Sequence, residues 1–276
     1  MKSYAIFLGC TIPARQPNYE LSARKALAKL GIELVDLVES TCCCPPPVQS
    51  IDLETSLAVA AYNITLAEEA DLNIVTLCSG CFESLAMANE MLKTHTELKT
   101  RINEILSNTG KEFKGNKEVK HFLQVLTKDI GFEHLKQNIT KPLNNLKIAP
   151  FYGCHVLRPS ELLKFDDPER PHILEDLIKI LGAESIEYRN KLKCCGGLLR
   201  GFSDELALDL AREKLANTSK AGADCIATVC PFCFVALDIG QVQIRAKFSE
   251  NYDMPVLHYS ELLALALGVD PQELAL

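Results

Sequence analysis

The sequence predicts an α/β protein made of two copies of one parallel-sheet unit, joined by a helical insertion. Three observations carry that reading. Short apolar runs alternate with stretches of helical periodicity, which implies βαβ units and right-handed crossovers. Five cysteines recur twice in one order: a single residue, an adjacent pair, then CxxC. The length of 276 residues suits two domains of about 130 residues each.

In the first copy, a strand over Tyr4–Leu8 leads through Gly9 to Cys10. Apolar residues at helical spacing from Glu20 to Leu30 predict a helix, with Gly31 as its stop. A strand over Glu33–Val38 feeds Cys42-Cys43-Cys44, and Pro45-Pro46-Pro47 stiffens the turn beyond. Asp52 to Ala70 reads as an amphipathic helix with Asp52 as N-cap. Leu72–Leu77 is a strand entering Cys78-Ser79-Gly80-Cys81, and a helix over Phe82–Leu92 follows.

Residues 93–145 are more polar and read as the insertion, helical over Leu98–Leu106 and Val119–Ile130. Lys111, Lys114, Lys117 and Lys120 within it predict an exposed, solvated basic loop. The expected domains are therefore 1–145 and 146–276. The second copy offers strands at Lys147–Tyr152, Ser185–Tyr188 and Cys225–Val229, helices at His172–Leu181 and Asp204–Ala221, and a terminal helix at Ser260–Leu267.

The repeat decides which cysteines form the first pair. Adding 152 to positions 42, 43, 78 and 81 gives 194, 195, 230 and 233, all cysteines, whereas Cys44 lands on Gly196. Cys10 maps to Cys154 with an offset of 144. Cys44 is thus a bystander, and Cys225 reads as a small core residue. In each copy the cysteines fall at the C-terminal ends of strands, where open α/β sheets gather ligands.

Twelve cysteines without an export signal point to a reducing, cytoplasmic setting in which thiols serve metals or catalysis. A net charge of −7 disfavours nucleic acid and anionic membrane as partners. No uninterrupted apolar run of about 18 residues is present, so no membrane span is expected. Four cysteines per copy could close a structural zinc site, making a non-catalytic scaffold one reading. A retained fifth thiol, and ligands spread over three strand ends, favour a multi-iron cluster.

Ten cysteines spaced C-x31-CC-x34-CxxC and C-x39-CC-x34-CxxC, with Cys194-Cys195-Gly196 and Pro255-Val256-Leu257-His258-Tyr259, resemble the B subunit of heterodisulfide reductase. That family is built from two Rossmann-like cysteine-rich CCG domains. The resemblance implies an iron–sulfur oxidoreductase of methanogenesis, reducing the mixed disulfide of coenzyme M and coenzyme B. It implies two noncubane 4Fe–4S clusters, one on Cys10, Cys42, Cys43, Cys78 and Cys81, the other on Cys154, Cys194, Cys195, Cys230 and Cys233. It also implies electron transfer from two heterodisulfide reductase partners, the ferredoxin-like C subunit and the flavin-bearing A subunit. CCG subunits of thiol-dependent fumarate reductases and succinate dehydrogenase-like complexes share the pattern and form an alternative.

Such a disulfide carries sulfonate, carboxylate and phosphate. Arg15 and Arg158, five and four residues beyond Cys10 and Cys154, are candidate substrate-binding cations. His155, next to Cys154, is a candidate catalytic proton or hydrogen-bond donor, although a structural histidine is the plainer reading there and at His258.

Overall fold

The computed structural model describes residues 2–275. In the first half the strands are β1 (Lys2–Phe7), β2 (Ile32–Asp36), β3 (Asn73–Thr76) and β4 (Val119–His121), in the order β2-β1-β3-β4. The second half has β5 (Lys147–Phe151), β6 (Glu184–Ser185), β7 (Cys225–Thr228) and β8 (Val256–His258), in the order β6-β5-β7-β8. Every pairing is parallel, and the registers repeat: Ala5 faces Ile74 as Ala149 faces Ile226. Helices cover both faces of such sheets, so Tyr4-Ala5-Ile6-Phe7 is buried without alternation.

The helices that matter for the site are α1 (Pro17–Lys29), α2 (Leu53–Glu69), α3 (Ser79–Thr94) and α4 (Thr96–Ser107). Their second-half partners include α5 (Ile173–Ile180), α6 (Asp204–Lys220), α7 (Gly240–Phe248) and the terminal α8 (Tyr259–Ala266). Asp52 caps α2 as expected, its carboxylate accepting the Thr55 N–H at 3.0 Å.

Three expectations are corrected. Val119–His121 is strand β4 and not the start of a helix, because β3 would otherwise present an unpaired edge. The expected strand Ser185–Tyr188 shortens to Glu184–Ser185. Pro150 has no N–H to continue the ladder toward it, and its carbonyl instead accepts the Tyr188 hydroxyl at 2.9 Å. The lysine-rich loop is not free: the buried Glu68 carboxylate accepts the backbone N–H groups of Lys114, Gly115 and Asn116 at 2.6–3.1 Å. Lys111 pairs with Glu69, Lys117 with Asp71 and Lys120 with Asp129.

The halves share one hydrophobic core, which joins Tyr19, Leu27 and Phe122 to Ile148, Tyr152 and Leu263. Within it α8 packs on α1. There the Tyr19 ring lies flat on His258, centroids 3.5 Å apart, and Ser22 meets Ser260 at 2.7 Å between hydroxyl oxygens. The second interface histidine, His121, touches the Val229 carbonyl through Nε2 at 3.3 Å and accepts the Leu123 N–H at Nδ1.

Two outcomes follow from this shared core. Leu263→Ala, at a fully buried position of α8, is expected to cost about 2–5 kcal/mol, and calorimetry should show one unfolding transition for both halves; two separate transitions would contradict it. Burial pushes His121 down to about 4 and His258 down to about 3. Both rings stay neutral in the folded chain while the unfolded chain takes up protons below about pH 6.5. Stability should therefore be full above that pH and fall as pH drops toward 4, and His121→Gln should flatten the dependence of the unfolding midpoint.

Candidate functional site

Parallel strands put all their C-terminal ends on one edge of a sheet, and here the two edges face each other. Cys10 follows β1, Cys42 and Cys43 follow β2, and Cys78 and Cys81 sit at the start of α3. The second half repeats this with Cys154 after β5, Cys194 and Cys195 after β6, and Cys230 and Cys233 after β7. All ten line one cavity. Cys44 and Cys225 do not line it. The Cys44 carbonyl is instead held by Ser84 and Gln49, and Cys225 is buried within β7.

The carbonyl before each CxxC is fixed at the junction, one of them from across it. The Val229 carbonyl accepts the Ser79 hydroxyl at 3.1 Å, and the Leu77 carbonyl accepts the Tyr19 hydroxyl at 2.5 Å. Gln16 links both sides, donating to the Pro231 carbonyl at 3.0 Å while its Oε1 meets His258 Nε2 at 2.9 Å. These contacts fix the two cysteine sets relative to each other.

All twelve cysteines are free thiols, and within each set they crowd together. Cys195 and Cys233 sulfurs lie 3.4 Å apart. Hydrogen bonds from Cys42 and then Cys81 pull the Cys43 thiol down, and Cys154 and then Cys195 do the same to Cys194. Cys230 is held low by Cys233 first and by Cys78 of the other half second. The two sets thus meet at Cys78 and Cys230. The N–H groups of Gly196 and Gly197 reach the Cys194 and Cys195 sulfurs at 3.3 Å, which favours thiolates.

Backbone shape reserves space beside the thiols. Gly9 (φ +67°) and Gly153 (φ +73°) hold equivalent positions, and a Cβ there would stand 2.8 Å from Cys81 Sγ and 3.1 Å from Cys233 Sγ. Only glycine combines that backbone with that approach. Among the described residues, no group of three or more His, Cys, Asp or Glu side chains is arranged to hold a single metal ion. Five thiols spread around a shared space, with glycine backbone giving way to sulfur, fit a polynuclear group better than one tetrahedral ion.

The rest of the cavity wall includes Leu8, Pro45, Leu198, Pro231 and Phe232, with Thr11 and Ser79 as neutral polar groups. His155 lies in the wall as well, and burial pulls its pKa down. Neither arginine lines the cavity. Arg158 is taken up by the Pro168 carbonyl at 2.8 Å and Glu169 at 3.1 Å. Arg15 is exposed at the end of the turn Thr11–Arg15 that begins in the cavity wall.

Several residues around the site escaped the sequence reading: Gln16, Tyr19, His121, Glu83 and Lys214. Burial raises the Glu83 carboxyl to about 7, next to the first set. One signal was present. His121-Phe122-Leu123-Gln124 and His258-Tyr259-Ser260-Glu261 repeat a His-x-x-Gln/Glu pattern, and in both the side chain at the fourth position accepts the histidine's backbone N–H, at 2.9 and 2.7 Å.

Comparison with known proteins agrees with this duplicated plan. The family model described as a cysteine-rich domain, CCG, matches twice, at residues 4–86 and 148–238. The B subunit of a ferredoxin:CoB-CoM heterodisulfide reductase of Methanosarcina mazei is 42% identical, covering 100% of this chain and 93% of the relative. A protein of Archaeoglobus profundus, described as like the B subunit of heterodisulfide reductase, is 39% identical over 100% of this chain and 94% of the relative. The 8-methylmenaquinol:fumarate reductase membrane anchor subunit of Wolinella succinogenes is 34% identical over 100% and 95%. Among solved structures, a hypothetical protein from Helicobacter pylori shares the fold, with a TM-score of 0.78 at 16% identity. It aligns with the whole of this chain, which spans 51% of that structure's length. With two CCG domains and full-length relatives of this kind, the chain belongs to the family of heterodisulfide reductase B subunits.

Proposed function

We propose that this chain is the disulfide-reducing component of a cytoplasmic CoB-CoM heterodisulfide reductase, carrying one noncubane 4Fe–4S cluster on each cysteine set. The observation that carries the reading is the single cavity lined by all ten thiols. Cys10, Cys42, Cys43, Cys78 and Cys81 would hold one cluster, and Cys154, Cys194, Cys195, Cys230 and Cys233 the other. When bound, these groups supply single electrons to the two sulfurs of a disulfide.

The chain's own residues bind, orient and shield. Apolar Leu8, Leu198 and Phe232 in the wall exclude water from a disulfide held between the sets. Thr11 and Ser79 offer hydroxyls, and the Ser79 proton is already directed to Val229. His155, neutral because of its burial, can donate one ring N–H to a departing thiolate. Of the two arginines, Arg15 has no ion-pair partner among the described residues and is the better oxyanion ligand. The sequence contains no C-x2-C-x2-C-x3-C run, so electrons would come from partners, a ferredoxin-like C subunit and a flavin-bearing A subunit. No helix among the described residues is long and apolar enough to cross a membrane.

The relative from Wolinella succinogenes, 34% identical along its length, supports a second reading as the CCG component of a fumarate reductase complex. Substrate separates the two.

Anaerobically reconstituted chain should contain about eight irons with equal acid-labile sulfide, and release two thiols per CoM-S-S-CoB when given reduced viologen. Cys10→Ser and Cys154→Ser should each remove one cluster's spectrum and abolish thiol release. Zinc without sulfide would refute the reading, and quinol-linked activity with no thiol release would transfer it to the fumarate reductase type. Arg15→Ala should raise KM for the anionic disulfide by about tenfold, the worth of one charge-assisted hydrogen bond, without changing iron content. Arg158→Ala, already paired with Glu169, should leave KM within about twofold.

A further inference from the structure

The duplicated frame is unequal in buried charge. Asn63 and Lys214 stand ten residues beyond the first residues of α2 and α6, Leu53 and Asp204, so they occupy the same place on equivalent helices. Both are buried, at 0% and 2% exposure. Both anchor the loop that leads into the cysteine pair. The Asn63 amide donates to the Cys42 carbonyl at 3.1 Å and accepts the Thr41 N–H at 2.7 Å. The Lys214 ammonium donates to the Asn190 and Lys191 carbonyls at 2.7 and 3.0 Å.

A neutral amide therefore does in the first half what a cation does in the second, and holding the loop does not demand the charge. Lys214 is also the only buried lysine or arginine among the described residues, and no carboxylate pairs with it there. Its ammonium lies over the Phe151 ring at 4.4 Å and the Tyr188 ring at 5.7 Å. The thiols of Cys195, Cys233, Cys154 and Cys194 all act on it, offsetting part of the burial that brings it down to about 8. An unpaired buried cation is costly, and strongly perturbed ionisable groups cluster at functional sites.

We propose that Lys214 is a fixed positive charge that makes the redox group of the second cysteine set easier to reduce than that of the first. This rests on the reading above that each set holds an iron–sulfur cluster. One electron leaves a low-potential one-electron donor, which is oxidised by one, and the second set's group gains one negative charge; no atom or proton moves. A nearby cation in low dielectric stabilises that added charge, and the first set has only Asn63 in its place.

Lys214→Asn installs the first half's own residue, and Lys214→Met keeps the length without the charge. In the full, anaerobically reconstituted chain, dithionite titration followed by electron paramagnetic resonance should resolve two couples, assigned with Cys10→Ser and Cys154→Ser. The second set should be reduced first in the wild type. In either Lys214 variant its reduction equilibrium should weaken about tenfold, about 59 mV for one electron, with the first set's couple unmoved. A merely structural lysine would leave both couples in place or shift them together, and either result overturns the inference. If neither variant folds or loads, the wild type decides: equal potentials or the reverse order overturn it. A wild-type chain without iron and sulfide would overturn the underlying reading instead.

Discussion

Everything at the site depends on how two sheet edges are held face to face. The carbonyl before each CxxC is the pinning point, with Val229 accepting Ser79 from the opposite half. Leu77 is fixed by Tyr19, whose ring is itself clamped on His258 of the other half. Buried backbone groups must find partners. Val229 and Pro231 find them across the junction and Leu77 finds Tyr19, so the thiols cannot separate without leaving carbonyls and rings unsatisfied. The cysteine sets inherit their spacing from that requirement.

The same constraint explains the neutral histidines. A charged imidazole at either place would face burial with no carboxylate to balance it. As neutral rings they serve as shaped donors: His121 reaches Val229, and His258 reaches Gln16, which holds Pro231. Each sits at the end of the fourth strand of its own half and touches the other half. The fourth strands therefore brace the junction as well as closing their sheets.

Much of this was legible in the residues alone. Offset arithmetic chose Cys42 and Cys43 over Cys44, and the cavity wall includes the first two and leaves out the third. Strand ends announced where thiols would gather, because apolar runs ended at each cysteine. What stayed hidden depends on partners distant in sequence. β4 is three residues long, too short for periodicity to reveal, and it exists because β3 needs an edge partner. The lysine-rich loop looked solvated because Glu68, which binds its backbone, lies some 46 residues earlier. Arg158 looked free for the same reason, since Glu169 meets it only in the folded loop.

Duplication gives two cysteine sets on one frame around one cavity, yet under the proposed function a disulfide with unlike halves would present each set with a different neighbour. Symmetric walls could not distinguish them. The chain departs from symmetry in its buried polar residues: Glu83 has Val235 as its counterpart at the 152-residue offset, and Asn63 has Lys214 on the equivalent helix. Under the proposed function, backbone and cysteines would stay alike because cluster geometry tolerates little variation, whereas a side chain one layer behind them would alter the field without moving a sulfur. That layer is where a duplicated fold can assign different tasks to its two halves.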